Sequence, residues 1–167
     1  MNIRLFGVEP QSIVDGPGWR CAIFVQYCPH ECPGCHNPKS HSPYGGFVNT
    51  TQEVARLFID GNPHLDGITL TGGEPFEQAK ACAELARYAH TKGMNVWTYT
   101  GYTYEQLQCM PSAMELLVAT DVLVDGPFIL AERSLELDWR GSKNQRVIDV
   151  KRSLEEKKVV EWLREVR

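Results

Sequence analysis

The chain has 167 residues, of which 43% are hydrophobic, and we expect it to form one domain, residues 1–167, with a sizeable core. Its 21 acidic and 17 basic residues give a net charge of −4, which argues against a nucleic-acid-binding protein, since such proteins carry a basic surplus. No apolar run approaches the roughly 20 residues of a membrane span, and the N-terminus lacks the apolar segment of a signal peptide. We therefore expect a cytoplasmic protein with reduced thiols and no membrane partner.

Strand patterns alternate with helix patterns along the chain. Two short apolar runs, at residues 3–8 and 11–14, predict an N-terminal strand or hairpin. The nearly continuous apolar run at residues 21–27 is typical of a strand that is buried on both faces. Further strands are predicted at residues 67–71, 95–99, 121–125 and 146–150, and helices are predicted to begin near Thr50, Glu77, Thr103, Ser112 and Ser153.

This alternation predicts an α/β fold with a parallel sheet and helices outside it. Only about five strand–helix units fit in the chain, too few for a closed eight-stranded barrel, so the predicted architecture is a partial (open) βα barrel. In barrels the C-terminal ends of the strands carry the chemistry. A cysteine-rich loop and the segments 72–74, 100–101 and 125–126 all follow predicted strands, so we expect one rim to collect them.

The cysteine-rich loop holds Cys28, Cys32 and Cys35 at a C-x3-C-x2-C spacing. Two prolines and a glycine bend the segment, so neither a helix nor a strand can run through it. Soft thiolate ligands select zinc, Cu(I) or iron–sulfur clusters. Most iron–sulfur clusters take four cysteines, and no fourth lies nearby, so a cubane bound by this loop would keep one iron open.

Two other uses of the cysteines remain open. A structural zinc ion could bind the three thiolates together with His30, His36 or His41, although structural zinc cysteines usually come as two separated pairs. Disulfides would suit a small, loop-rich secreted protein better than this chain. The other cysteines are Cys21 and Cys82, which are interpreted as core residues, and Cys109, which has no partner in the pattern.

The C-x3-C-x2-C loop resembles that of the radical S-adenosylmethionine enzymes. The resemblance implies that Cys28, Cys32 and Cys35 hold a [4Fe–4S] cluster, and that the open iron binds the amino and carboxylate groups of S-adenosyl-L-methionine. It also implies a partial barrel of the radical S-adenosylmethionine type. Gly34 stands where most members of that family have an aromatic residue.

Several segments resemble one branch of that family more closely. The run Cys-Pro-Gly-Cys-His-Asn at residues 32–37 is similar to the activases of anaerobic ribonucleoside-triphosphate reductase, as are Val-Asp-Gly at 124–126 and Trp-Arg-Gly-Ser at 139–142. The run Asp-Gly-Pro-Gly-Trp-Arg at 15–20 resembles an N-terminal segment of the glycyl-radical activases.

The resemblance also implies which residues contact the cofactor. These residues are Gly34, Cys35, His36, Gly72, Gly73 and Glu74. The last three match the glycine-rich motif that holds the methionine amino group, and the first three match positions that line S-adenosylmethionine in the reductase activases. A tight strand-to-helix turn would explain the two glycines about as well. No catalytic side chain is implied beyond the ligands of the cluster and the cofactor.

The implied function is that of an oxidoreductase that acts on another protein. Reductive cleavage of S-adenosylmethionine gives methionine and a 5′-deoxyadenosyl radical, which removes a hydrogen atom from a glycine of anaerobic ribonucleoside-triphosphate reductase. An electron donor such as flavodoxin would supply the electron. The alternatives are an activase of another glycyl-radical enzyme such as pyruvate formate-lyase, a 7-carboxy-7-deazaguanine synthase, and a zinc-bearing interaction module without activity.

Two features in the C-terminal third of the chain, the segment at 139–144 and Asp125, each have two interpretations. An exposed Trp139 beside Arg140 would have the composition of an interface hot spot, and with Asn144 would help to dock the reductase. Alternatively, Trp139 is buried and the segment at 139–144 only closes the fold. Asp125 either faces the rim or caps the following turn.

Overall fold

A seven-stranded sheet forms the centre of the molecule, and the computed structural model describes residues 1–164 of the chain. The strands are β1 (Asn2–Ser12), β2 (Arg20–Val25), β3 (Phe47–Thr50), β4 (Gly67–Gly72), β5 (Asn95–Tyr99), β6 (Val122–Asp125) and β7 (Arg146–Asp149). Across the sheet their order is β3-β1-β2-β4-β5-β6-β7. Strands β2, β4, β5 and β6 are parallel, whereas β1, β3 and β7 pair antiparallel with their neighbours.

The predicted α/β fold, a partial βα barrel of the radical S-adenosylmethionine type, is therefore wrong. The sheet is open and mixed, and among residues 1–164 its edge strands β3 and β7 pair with no further strand. Parallel neighbours need a long crossover, usually a helix, whereas antiparallel neighbours need only a loop. Residues 13–19 join β1 to β2, and the connection from β6 to β7 carries only the short 3₁₀ turn Leu130–Glu132. Apolar strand patterns do not encode the direction of the next strand, which is why the alternation predicted the wrong fold.

The helices are short apart from α2. They are α1 (Thr51–Val54), α2 (Ala79–Thr91), α3 (Tyr104–Gln108), α4 (Met114–Ala119) and α5 (Val150–Glu156). Helix α1 continues as the π-helix Ala55–Asp60. The 3₁₀ turns Pro75–Gln78 and Pro111–Ala113 precede α2 and α4. The capping box predicted at Thr103 and Gln106 is confirmed, since each side chain bonds the backbone N–H of the other residue. In the part of the chain that the structure describes, no helix is long and apolar enough to cross a membrane.

The end of the chain differs from the prediction. Helix α5 begins at Val150 and not at Ser153, because the Asp149 side chain accepts a hydrogen bond from the backbone N–H of Arg152. The helix ends at Glu156, Lys157 follows in a left-handed conformation, and the backbone N–H of Asp149 donates to the carbonyl of Val160. A helix that continued from Ser153 to the end of the chain would place Val159, Val160, Leu163 and Val166 on one side. Residues 159–163 are not helical, and Val166 lies outside the described residues.

The two faces of the sheet are covered differently. One face packs against every α-helix and forms the main core, which includes Ile23 and Leu70 of the sheet and Leu85 and Leu116 of the helices. The opposite face carries a smaller cluster of Trp97, Val122 and Val124, covered by Trp139 and Trp162. This second face of the sheet is therefore covered by aromatic side chains rather than by helices.

Arg20, at the start of β2, is fully buried. Its Nε donates to Oγ1 of Thr69 at 2.8 Å, its Nη1 donates to the carbonyl of Pro17 at 3.1 Å, and its guanidinium lies 5.7 Å from the centre of the Trp97 ring. Burial lowers the pKa of Arg20 to about 10, which still leaves it charged at neutral pH. A Cβ on Gly16 would lie 2.9 Å from Cδ of Arg20, so packing accounts for this part of the 15–20 segment.

Candidate metal centre

The three loop cysteines lie where the parallel strands end. The loop leaves β2 at its C-terminal end and lies beside the turns that follow β4 and β5. A cavity of about 120 Å³ is lined by Cys28, Cys32 and Cys35 and by residues that were predicted to share one rim, namely Gly72, Gly73, Glu74, Thr100, Gly101 and Gly126. The structure thus brings together most of the segments that the strand-end argument selected.

The six cysteines occupy different environments, and all six are free thiols. Cys21 and Cys82 are fully buried in the core, as predicted, and burial raises the pKa of both thiols. Cys109 is exposed after α3. Only the three loop cysteines line the cavity, and burial raises the pKa of Cys28 there to about 11. A soft metal centre binds cysteine as the thiolate, so its binding would displace the thiol proton of Cys28.

The donor set can be compared with the needs of a cluster and of a zinc ion. Within residues 1–164, no group of three or more His, Cys, Asp or Glu side chains is arranged to hold a single metal ion. Of the three histidines proposed as a fourth zinc ligand, His30 has its Nε2 2.7 Å from Oε2 of Glu74 and His36 is exposed, whereas His41 lines the cavity with the three thiols. Three thiols on one cavity without a fourth cysteine match a cubane that keeps one iron open.

The backbone around Cys28 adopts unusual conformations. Tyr27 and Glu31, on either side of it, have positive φ angles of 87° and 49°. Gly34 also has a positive φ, 78°, and a Cβ there would lie 2.9 Å from Cδ1 of Leu130. Non-glycine residues in such conformations cluster at functional sites, where the surrounding structure holds them. The loop is thus constrained where it presents its thiols.

The glycine-rich turn after β4 is shaped by its neighbour β2. Gly72 has φ +98°, and a Cβ on Gly73 would lie 2.3 Å from the carbonyl oxygen of Tyr27. The backbone N–H of Glu74 donates to that same carbonyl at 2.8 Å. The two glycines are therefore required by the close approach of the chain itself, whether or not a ligand also meets this backbone.

The carboxylate of Glu74 is fully buried and already has four donors. Oε1 accepts from Oγ1 of Thr100 at 2.8 Å and from the backbone N–H of Phe76 at 3.1 Å. Oε2 accepts from the backbone N–H of Gly101 at 2.8 Å and lies 2.7 Å from Nε2 of His30. An ammonium group of a ligand would meet the backbone of this turn more readily than its carboxylate.

A second cavity, of about 840 Å³, adjoins the first and shares Cys35, Gly72 and Tyr99 with it. The residues of this larger cavity that the sequence interpretation missed include Ile13, Val14, Phe24, Tyr99, Phe128, Leu135 and Leu137. Phe128 and Tyr99 could have been found, because each lies at or just after the C-terminal end of a strand. Phe24 lies in β2, one residue before its C-terminal end, and the others come from loops whose position the pattern does not predict.

Asp125 and the 139–144 segment lie close to the site but pack into the fold. The Asp125 carboxylate is buried and accepts hydrogen bonds from the backbone N–H of Tyr104 and from Arg146. Trp139 is half-buried, and its ring centre lies 5.9 Å from that of Trp97, at 74°. Asn144 donates to the carbonyl of Pro127. Trp139 is therefore neither the exposed nor the buried residue of the two interpretations, and because it also lines the larger of the two cavities at the site, a role in docking the reductase stays a prediction.

Comparisons with known proteins agree with the donor set. Residues 14–148 match the family model described as a 4Fe-4S single cluster domain. Proteins named anaerobic ribonucleoside-triphosphate reductase-activating protein are similar over most of the chain. The one from Salmonella typhimurium is 37% identical over 152 residues, which cover 87% of this chain and 97% of the relative.

Two further relatives carry the same name. The protein of Vibrio cholerae is 38% identical over 81% of this chain and 91% of its own length. That of Enterobacteria phage T4 is 32% identical over 84% of this chain and 90% of its own length. With a matching cluster-domain model and relatives at this identity, the chain belongs to the family of anaerobic ribonucleoside-triphosphate reductase-activating proteins.

Proposed function

We propose that this chain is a radical S-adenosylmethionine activase that generates a glycyl radical on anaerobic ribonucleoside-triphosphate reductase. The observation that carries the proposal is the cavity that three free cysteines share with the glycine-rich turn, directly beside a larger cavity of about 840 Å³. Membership of the activating-protein family supports the choice of reductase as the target.

In this proposal the loop binds the cluster and the adjoining cavity binds the cofactor. Cys28, Cys32 and Cys35 would ligate three irons of a [4Fe–4S] cluster and leave the fourth open. The contacts to S-adenosyl-L-methionine would come from Gly34, Cys35 and His36 on one side and from Gly72, Gly73 and Glu74 on the other, with the last contributing its backbone. All of these residues except Gly34 line one of the two cavities. When bound, the cluster and the cofactor supply the one-electron chemistry that starts hydrogen-atom removal from a glycine.

The chain itself contributes orientation and exclusion of water. Tyr99 and Phe128 line both cavities, so their rings can shield a reactive cofactor from solvent. At the edge of the larger cavity, Ile13, Val14 and Leu135 are 60%, 74% and 88% exposed. Such an apolar rim suits a protein loop that enters the cavity. A flavodoxin-type electron donor and a cytoplasmic location stay predictions.

The test begins with anaerobic reconstitution of the protein. We expect about four irons and four sulfides per chain. Replacing Cys28, Cys32 or Cys35 by alanine should abolish cluster binding, whereas Cys109→Ala, which changes an exposed thiol outside the cavity, should leave it intact. Loss of the cluster in Cys109→Ala, or recovery of zinc instead of iron from the parent protein, would contradict the three-cysteine assignment.

The activity is measured on the reconstituted protein with reductant and S-adenosylmethionine. The expected products are methionine and 5′-deoxyadenosine, together with a glycyl-radical signal in electron paramagnetic resonance when anaerobic ribonucleoside-triphosphate reductase is added. A signal on pyruvate formate-lyase but not on this reductase would point to the other activase. Cleavage products without a radical on either protein would reject activation as the function.

A further inference from the structure

We propose that His30 is a positioning residue that anchors the cysteine loop to the sheet. His30 lies between Cys28 and Cys32, and its Nε2 is 2.7 Å from Oε2 of Glu74, which is 44 residues away in the chain. Within residues 1–164, this is the only hydrogen bond that joins residues 29–36 to the chain outside residues 28–42. The part of the loop that carries Cys32 and Cys35 is therefore bonded to the sheet at one point.

The acceptor at that point is fixed in place. Glu74 is 0% exposed, and its carboxylate is also bonded to Thr100, Gly101 and Phe76. Those partners belong to the end of β5 and to the turn after β4, so the carboxylate cannot follow the loop if the loop moves. Removal of the histidine would leave a buried acceptor with one partner fewer, which carries a desolvation cost.

The imidazole ring also fits a space that glycine leaves open. A Cβ on Gly101 would lie 2.4 Å from Cδ2 of His30, so a larger residue there would displace the ring. The Tyr102 ring meets His30 edge-on, with ring centres 4.4 Å apart at 78°. The bond to Glu74 and this packing act on the same ring, and they define one position for it.

The anchor would connect two parts of the proposed site. Glu74 belongs to the glycine-rich turn that is proposed to contact S-adenosylmethionine, and His30 belongs to the loop that is proposed to hold the cluster. The pair therefore sets the position of the thiols relative to Gly72 and Gly73. Only this last step rests on the proposed function, because the contact between loop and sheet exists without cofactors.

The test compares His30→Phe, which keeps a ring but has no donor, with His30→Gln, whose amide nitrogen can replace Nε2. In the metal-free protein we expect hydrogen exchange of the Cys35 amide, which donates to the carbonyl of Cys32, to be at least tenfold faster in His30→Phe and close to the parent rate in His30→Gln. The backbone amide of Val96, which is buried in β5 away from the loop, should exchange at the parent rate in both variants. After anaerobic reconstitution, His30→Phe should bind less than half of the parent's iron, and His30→Gln should bind most of it.

A matched control and an independent variant complete the test. His64→Ala changes an exposed histidine outside the loop and should alter neither measurement. Gly101→Ala should displace the ring and speed loop exchange as His30→Phe does. Parent-like loop exchange in His30→Phe or in Gly101→Ala would overturn the anchor. Because exchange is measured without cluster or cofactor, this result is separate from any failure to cleave S-adenosylmethionine.

Discussion

At the scale of single residues, close backbone approaches shape the site. Gly73 is the clearest case, because its Cβ position is occupied by the carbonyl oxygen of Tyr27, at 2.3 Å. A backbone atom cannot move aside as the end of a flexible side chain can. The chain segments that follow β2 and β4 can therefore approach each other only because residue 73 is a glycine. A substitution there disturbs this packing whether or not a ligand is bound.

We accordingly predict that Gly73→Ala lowers the free energy of unfolding by about 1–3 kcal/mol, the usual cost of overpacking a tight position. Urea denaturation of the metal-free protein would measure this change in the free energy of unfolding. Gly7→Ala is the matched control, because nothing lies within 4 Å of a Cβ on Gly7, and it should change stability by less than about 0.5 kcal/mol. Equal stability of the Gly73 variant and the parent would contradict the structural role of this glycine.

At the scale of elements, one ion pair joins β6 to β7, and β7 is a strand whose direction the sequence interpretation missed. Asp125 ends β6 and is paired in register with Arg146, which begins β7. Nη2 of Arg146 lies 2.6 Å from Oδ2 of Asp125, which also accepts from the backbone N–H of Tyr104 at the start of α3. Asp125 is 1% exposed, so these partners replace water around its carboxylate.

Arg146→Met should therefore be strongly destabilising, by about 3–5 kcal/mol, because it leaves a buried carboxylate without its cation. Thermal and urea unfolding would measure the loss. The comparison is Glu105→Gln, which removes the exposed partner of the same arginine and should cost no more than about 1 kcal/mol. Similar costs for the two variants would show that the pair with Asp125 is no stronger than a surface pair.

At the scale of the whole molecule, the sheet has helices on one face and an aromatic cover on the other. After α5 the chain returns along β7, and the backbone N–H of Trp162 donates to the carbonyl of Val147 at 2.9 Å. The Trp162 ring lies 5.0 Å from Trp97, at 78°. This return segment closes the face on which Arg20 and Trp97 are buried.

Trp162→Ala should uncover Trp97 and lower the free energy of unfolding. Since Trp162 is only half-buried, we expect about half of the 3–5 kcal/mol that truncation of a fully buried tryptophan costs. Leu163→Ala provides the control, because Leu163 is 71% exposed and should be nearly neutral. Denaturation curves of both variants that overlay the parent curve would show that the segment does not stabilise the fold.

Local spacing was sufficient for much of the site. Three cysteines within eight residues must share a loop, and a buried strand before them places that loop at a strand end. The strand at residues 95–99 and the capping box at Thr103 were also predicted correctly, because alternation and capping depend only on residues a few positions apart. The approach of the cysteine loop to residues 72–74 followed from the same strand-end argument.

The tertiary structure alone decided the direction of the strands and the long-range partners. Whether a strand runs parallel or antiparallel depends on which neighbour it meets, and β1 and β7 carry the same apolar pattern either way. The bonds of His30 to Glu74 and of Arg20 to Thr69 join residues more than 40 positions apart. Such contacts form only when distant segments pack side by side, and no periodicity within a single segment encodes them.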